Sequence, residues 1–214
     1  MDFTTLIMYI LASLIVIFFV LPVHEFAHGF TAVQLGDKTP KYQGRLTLNP
    51  LAHIDYFGAL AILLFGFGWA KPVQVNMRNF KNPKVGMAIT AFAGPLSNII
   101  FAFLTLCLFK GLFLLGVQSV MYHGYVNVLL SYLITINIYL AVFNLLPVPP
   151  LDGSRLLSAF LPDRIYYKIM QYEQFIIWGI FILLWVGVLD VPMNFLRYYI
   201  MTGLDFVTRL IFGI

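Results

Sequence analysis

His24-Glu25-Phe26-Ala27-His28 decides how the rest of this sequence is read. Residues four apart on an α-helix stack on one face, because 3.6 residues per turn brings i and i+4 nearly into register. Two imidazoles so placed can share one Zn²⁺, and the glutamate between them can reach a water beside it. By itself the pentapeptide is equally a pair of histidines on an ordinary amphipathic helix. Its setting separates the two readings. Leu6 to Val23 carries no charge, so His24, Glu25 and His28 follow directly on a bilayer-grade stretch. Ionisable groups at membrane depth are costly and by default mark function.

Composition supports that setting. Of 214 residues, 61% are hydrophobic and 10% charged, with a mean hydropathy of +0.89. Soluble domains carry about a quarter charged residues, so the fold expected is an α-helical polytopic membrane protein. The net charge of +4 reads as loop asymmetry and not as nucleic-acid binding. Cys107 is the single cysteine and reads as a small core residue. Met1-Asp2-Phe3 has no basic leader, and the first apolar run exceeds a signal-peptide core, so a retained span is expected.

The first segment, about 4–34, is long enough to cross a bilayer. Pro22 should kink or loosen it just before the motif. His24 falls roughly 27 Å along from Leu6, near the far edge of the hydrocarbon layer. Basic residues then flank the short apolar piece 58–70 on both sides, which is too short to cross as a helix and is expected to be re-entrant or interfacial. Residues 42–48 and 73–76 alternate in polarity, predicting short strands in a membrane-associated β-hairpin. The second segment, about 87–116, contains Gly94-Pro95-Leu96-Ser97-Asn98. Asn98 suits an interhelical hydrogen bond or a role at the site equally well. His123 reads as a loop residue.

The third segment, about 126–146, ends in Asn144-Leu145-Leu146-Pro147-Val148-Pro149-Pro150-Leu151-Asp152-Gly153. Three prolines in four residues cannot continue a helix. Asp152 is then either a stiffly held metal ligand or the N-cap of the next helix. Segment four, about 175–189, is just long enough to span. The tail 194–214 is amphipathic, with Asp205 and Arg209 as an i,i+4 pair, and lies at the interface or packs its polar side into the bundle. Placing every basic loop inside makes segments one and three parallel. His24, His28 and Asp152 then arrive at one depth near the cytoplasmic side, a two-histidine, one-carboxylate site with a position open for water.

The chain resembles the site-2 proteases, intramembrane zinc metalloproteases. The resemblance rests on His24-Glu25-Phe26-Ala27-His28, on Gly94-Pro95-Leu96-Ser97-Asn98, and on the run from Asn144 to Gly153, over roughly residues 5–157. It is to the small prokaryotic type without PDZ or CBS domains. It implies a three-helix catalytic core over 1–157 that includes the β/re-entrant region 36–85. Residues 158–214 would add a membrane helix and an amphipathic helix. It implies one zinc per chain on His24, His28 and Asp152, with Glu25 as general base and Asn144 near the substrate, where its amide can donate to an oxyanion. Asn98 and His53, the latter within Asn49-Pro50-Leu51-Ala52-His53-Ile54-Asp55, are the further substrate-side candidates. His53 is otherwise a structural hydrogen-bonding residue. The implied activity is hydrolysis of peptide bonds in or near transmembrane segments, in the cell membrane, with a transmembrane protein or peptide as substrate. A second copy of the chain is a further candidate partner. A non-catalytic scaffold and a metal transporter are the competing classes, and replacing Glu25 by Gln separates them.

Overall fold

The computed structural model describes residues 3–65, 68–117 and 124–213; His123 lies outside them. Among the described residues the protein is all-helical. Helix α1 (Phe3–Ile15), a π turn (Val16–Val20) and α2 (Leu21–Gln34) make one continuous span. The π turn loosens the helix just before Pro22, one of the two outcomes expected there. Proline has no N–H to donate and crowds the carbonyl four residues back, and a widened preceding turn accommodates it. Helices α3 (Thr39–Tyr42) and α4 (Tyr56–Phe65) precede the second span, α5 (Pro83–Leu114). The third span is α6 (Tyr125–Leu145), and four helices follow: α7 (Asp152–Leu157), α8 (Asp163–Met170), α9 (Glu173–Trp185) and α10 (Asp190–Phe212).

Three of these stretches, Phe3–Gln34, Pro83–Leu114 and Tyr125–Leu145, are long and apolar enough to cross a membrane, so the chain is a multi-pass membrane protein. α5 is the central one and packs against both α2 and α6. The reason lies in one face of α5. Ala91, Gly94, Asn98 and Ala102 recur at helical spacing and are all buried, and small side chains let helix backbones approach closely in a bilayer. Val16, Val20 and Leu21 pack with Leu130, Leu133 and Leu140, and Ala102 and Leu106 pack with Ile134, Ile138 and Val142. Large apolar side chains such as Leu104, Leu108 and Trp178 face outward, as lipid-facing positions do.

Segment four departs from expectation. α9 has 13 residues, about 20 Å of helix against a hydrocarbon core of about 30 Å. It does not span alone but turns by 81° into α10. Of the polar stripe of α10, Thr208 is buried and Asp205 half-buried, while Thr202 and Arg209 stay exposed. Asp205 accepts from Arg209 at 2.6 Å and from Lys110 of α5 at 2.8 Å.

The stretch between the first two spans also needs correction. No strand forms among the described residues, so the β-hairpin is absent. Tyr42 closes the short helix α3. Residues 70–76 are extended but unpaired with another strand, because their donors go elsewhere. Lys71 donates its N–H to the His53 carbonyl at 2.8 Å, Val73 to the Glu25 carboxylate at 2.8 Å, and Asn76 to the Asp37 carboxylate at 2.7 Å. Alternating polarity here reflects one buried and one exposed side of a strap, not a ladder. The 10-residue α4 does not cross. His53 and Lys71, on either side of it, are hydrogen-bonded neighbours, and a Cβ on Gly58 would collide with the Trp69 carbonyl on the returning chain.

Asp37 fastens the far end of this strap. Fully buried, it also accepts from the Thr39 N–H at 3.0 Å, the Thr39 hydroxyl at 2.6 Å and the Asn79 amide at 2.7 Å. Burial pushes its carboxyl up, but the hydrogen bonds from Thr39, Asn79 and Asn76 prevail and hold it below the usual carboxylate range. A lowered folded-state pKa gives stabilisation that is complete above the unfolded value of about 3.9 and lost as pH falls through the folded one. Asp37→Asn should therefore lower stability at neutral pH by about 1.5–3 kcal/mol. It should also flatten the acid side of the stability curve, measured by thermal unfolding in detergent across a pH series. A variant as acid-sensitive as the parent would remove Asp37 from this role.

Candidate metal centre

α2 presents His24 and His28 one turn apart on its buried side. Asp152 comes from the other end of the sequence. Three prolines between 147 and 150 end the α6 helix, and the chain doubles back into α7 tightly enough that a Cβ on Gly153 would collide with the Leu145 and Leu146 carbonyls. No side-chain cap bond is made at the start of α7. The Asp152 carboxylate instead faces the histidines. Its Oδ2 lies 3.3 Å from His24 Nε2 and 3.2 Å from His28 Nε2, and the two Nε2 atoms are 3.1 Å apart.

This triangle fits a zinc ion. His28 Nδ1 sits 2.7 Å from the Thr90 carbonyl, which can only accept, so Nδ1 carries the proton and Nε2 presents a lone pair. Asp152 Oδ2 is buried and accepts no hydrogen bond. Lone pairs crowded together out of water repel unless a cation lies among them. Donors of a tetrahedral zinc site, each about 2.0–2.1 Å from the metal, are about 3.3–3.4 Å apart, close to the separations found. Gly94 makes room for the ring pair. A Cβ there would collide with His28 Nε2 and lie 2.6 Å from His24 Nε2. His24, His28 and Asp152 are the only His, Cys, Asp and Glu side chains among the described residues that gather this way.

The triad lines a cavity of about 420 Å³, whose walls come from α2, the strap, the end of α6, α7 and α9. Glu25 is buried on this wall, with Oε2 taking the Val73 N–H at 2.8 Å. Asn144 lines the same cavity, with one amide hydrogen donated to the Leu140 carbonyl at 2.9 Å. Asn98 and His53 do not line it. Asn98 is fully buried on α5, with no hydrogen-bond partner for its amide. His53 is fully buried beneath the strap and donates from Nε2 to the Thr47 carbonyl at 2.8 Å. Burial, reinforced by the charge of Arg45, pushes its imidazole down against the opposing pull of Thr47 and Glu25.

Arg45 escapes sequence reading. It counts there as a basic loop residue, yet it is buried and donates to the Ala52 and Lys71 carbonyls. It thereby ties the Asn49–Asp55 loop to the strap that reaches Glu25. Burial pushes the guanidinium down, and the charge of Glu25 opposes that. Thr90 is equally silent in sequence, since it acts through its carbonyl.

Against known proteins, the profile described as Peptidase family M50 matches residues 110–187, a stretch that holds Asn144 and Asp152. The Bacillus subtilis protein named "Putative zinc metalloprotease YwhC" is 41% identical over 182 residues, covering 80% of this chain and 77% of that protein. "Putative zinc metalloprotease Rip2" of Mycolicibacterium smegmatis is 30% identical over 164 residues, 74% of this chain and 60% of its own length. Its namesake in Mycobacterium tuberculosis is 29% identical over 157 residues, 71% of this chain and 58% of its own length. No solved structure matches.

Proposed function

The chain belongs to peptidase family M50, the site-2 proteases, and is a zinc metalloprotease; on that premise we propose that it cleaves peptide bonds in or near transmembrane segments of other membrane proteins. The observation that carries this reading is the His24, His28 and Asp152 triangle, with Glu25 on the same cavity wall, set within the first membrane-spanning stretch and just beyond the third. In this reading residues 1–157 form the catalytic core, 158–214 its membrane-embedded C-terminal part, and the site opens toward the cytoplasm. The side assignment rests on the basic loops.

His24, His28 and Asp152 would hold the zinc. Bound there, it supplies Lewis acidity, lowering the pKa of a coordinated water from about 15.7 to near 7 and polarising a carbonyl. Glu25 takes the proton of the attacking water and returns it to the leaving nitrogen. Val73 holds Glu25 Oε2 and so fixes the carboxylate's orientation toward the cavity. Asn144 steadies itself on Leu140 with one amide hydrogen and offers the second to the developing oxyanion. Strap and α9 wall the cavity from the sides, limiting water to what the reaction needs.

The test is the metal content and cleavage activity of the full chain in proteoliposomes. His24→Ala, His28→Ala and Asp152→Ala should each lose most of the zinc, measured by plasma mass spectrometry, and all cleavage of a transmembrane substrate. A chelator should abolish wild-type cleavage, and added zinc should restore it. Full zinc retention in Asp152→Ala would overturn the ligand assignment.

A further inference from the structure

Two charged side chains in the cavity take no part in the chemistry above. Arg155 stands three residues beyond Asp152 on α7 and shares its face. Glu173 opens α9 on another wall. Each is half-buried, and among the described residues neither makes a side-chain hydrogen bond or an ion pair, with the other or with anything else. Arg155 engages Ser158 only through its backbone carbonyl.

That arrangement leaves both charges available to a ligand. A half-buried charge keeps part of its water, but the partly desolvated setting strengthens any ion pair that an incoming group can make with it. Here a guanidinium and a carboxylate line one cavity without neutralising each other. The remaining lining is largely apolar, with Trp69, Ile177 and Phe181 among it. A guanidinium in such a wall is a fork for a carboxylate, and the glutamate is a receptor for an ammonium or guanidinium. The cavity is thus built for a polypeptide segment of mixed charge, not for the wholly apolar middle of a transmembrane helix.

We propose that Arg155 and Glu173 are two specificity-determining subsites, Arg155 receiving an acidic side chain of the substrate and Glu173 a basic one. The inference rests on the proteolytic reading and assigns its substrate class: spans whose juxtamembrane end carries both an acidic and a basic residue. Arg155 stands three residues, about 4.5 Å of helix, from Asp152, so the acidic residue belongs near the cleaved bond.

A library of transmembrane peptides, randomised over the residues at one end of the span, tests this directly. The zinc-loaded full chain in proteoliposomes would cleave it, and the products would be sequenced by mass spectrometry. The wild type should enrich Asp and Glu over Lys and Arg at one position by about tenfold, and the reverse at another. Arg155→Glu should invert the first preference and leave the second. Glu173→Lys should invert only the second. Arg155→Lys should keep the wild-type order, and Arg155→Gln should level the first preference alone. Zinc content identifies variants that still hold the site, and the neutral and conservative variants carry the comparison if charge reversal unfolds the protein. Unchanged preferences in variants that still cleave overturn the subsites and leave the proteolytic reading standing. A wild type that cleaves no peptide in the library overturns both.

Discussion

Glu25→Gln protein should keep its zinc and lose about 10²–10⁴-fold in cleavage rate. Glutamine has the same shape as glutamate, and its amide oxygen can still accept the Val73 N–H that now reaches Oε2 at 2.8 Å. The strap therefore stays fastened. The three atoms that make the metal triangle belong to His24, His28 and Asp152, so metal content should not change. What the substitution removes is a group able to accept and return a proton. Metal analysis and turnover of a transmembrane substrate, measured on one preparation, separate the competing classes. A non-catalytic scaffold would be indifferent to the change. Undiminished turnover would remove Glu25 from the role of base.

Gly94→Ala should weaken zinc binding without replacing any of the three ligand residues. Alanine favours a helix over glycine by about 1 kcal/mol, so a purely local view predicts a gain. The new methyl group, however, would collide with His28 Nε2 and stand 2.6 Å from His24 Nε2. Neither ring can yield easily, because His28 is tethered by Nδ1 to the Thr90 carbonyl at 2.7 Å and both rings are buried. Zinc affinity should fall by at least the about 10–100-fold typical of disturbed outer-shell support, with cleavage falling alongside. Gly203→Ala is the control, since nothing lies within 4 Å of a Cβ there. It should leave metal and activity unchanged. Equal zinc affinity in the Gly94 variant and the parent would show that the rings shift freely.

The metal triangle was legible in sequence because two independent signals converge on it. The spacing of His24 and His28 sets them on one helical face, and the distribution of basic residues makes the first and third spans parallel, which delivers Asp152 to the same end. Both signals are written in side chains. What sequence concealed acts through backbone. The strap looks like a strand because its polarity alternates, but its donors find Glu25, Asp37 and the His53 carbonyl instead of a neighbouring strand. Arg45 looks like any loop cation because the carbonyls of Ala52 and Lys71, which it binds, are common to every residue. The fourth segment reads as one apolar run, and the 81° turn after Trp185 that shortens it falls at Gly187, whose φ of +78° no neighbouring charge or proline in 178–189 underlines. Gly94 stands in a quoted motif, but sequence does not tell that the neighbours it accommodates are the histidine rings themselves.

The histidine pair and the aspartate of the triangle lie more than a hundred residues apart, and this spacing has a consequence during synthesis. At about 5–20 residues per second, the first span emerges from the ribosome several seconds before the turn that carries Asp152. Until α6 has inserted and α7 has folded back, the two imidazoles have no carboxylate to complete them. A nascent chain therefore carries the two imidazoles of the triangle before its carboxylate exists. On the proteolytic reading proposed above, hydrolytic capacity comes only with final assembly, when Asp152 joins the two imidazoles.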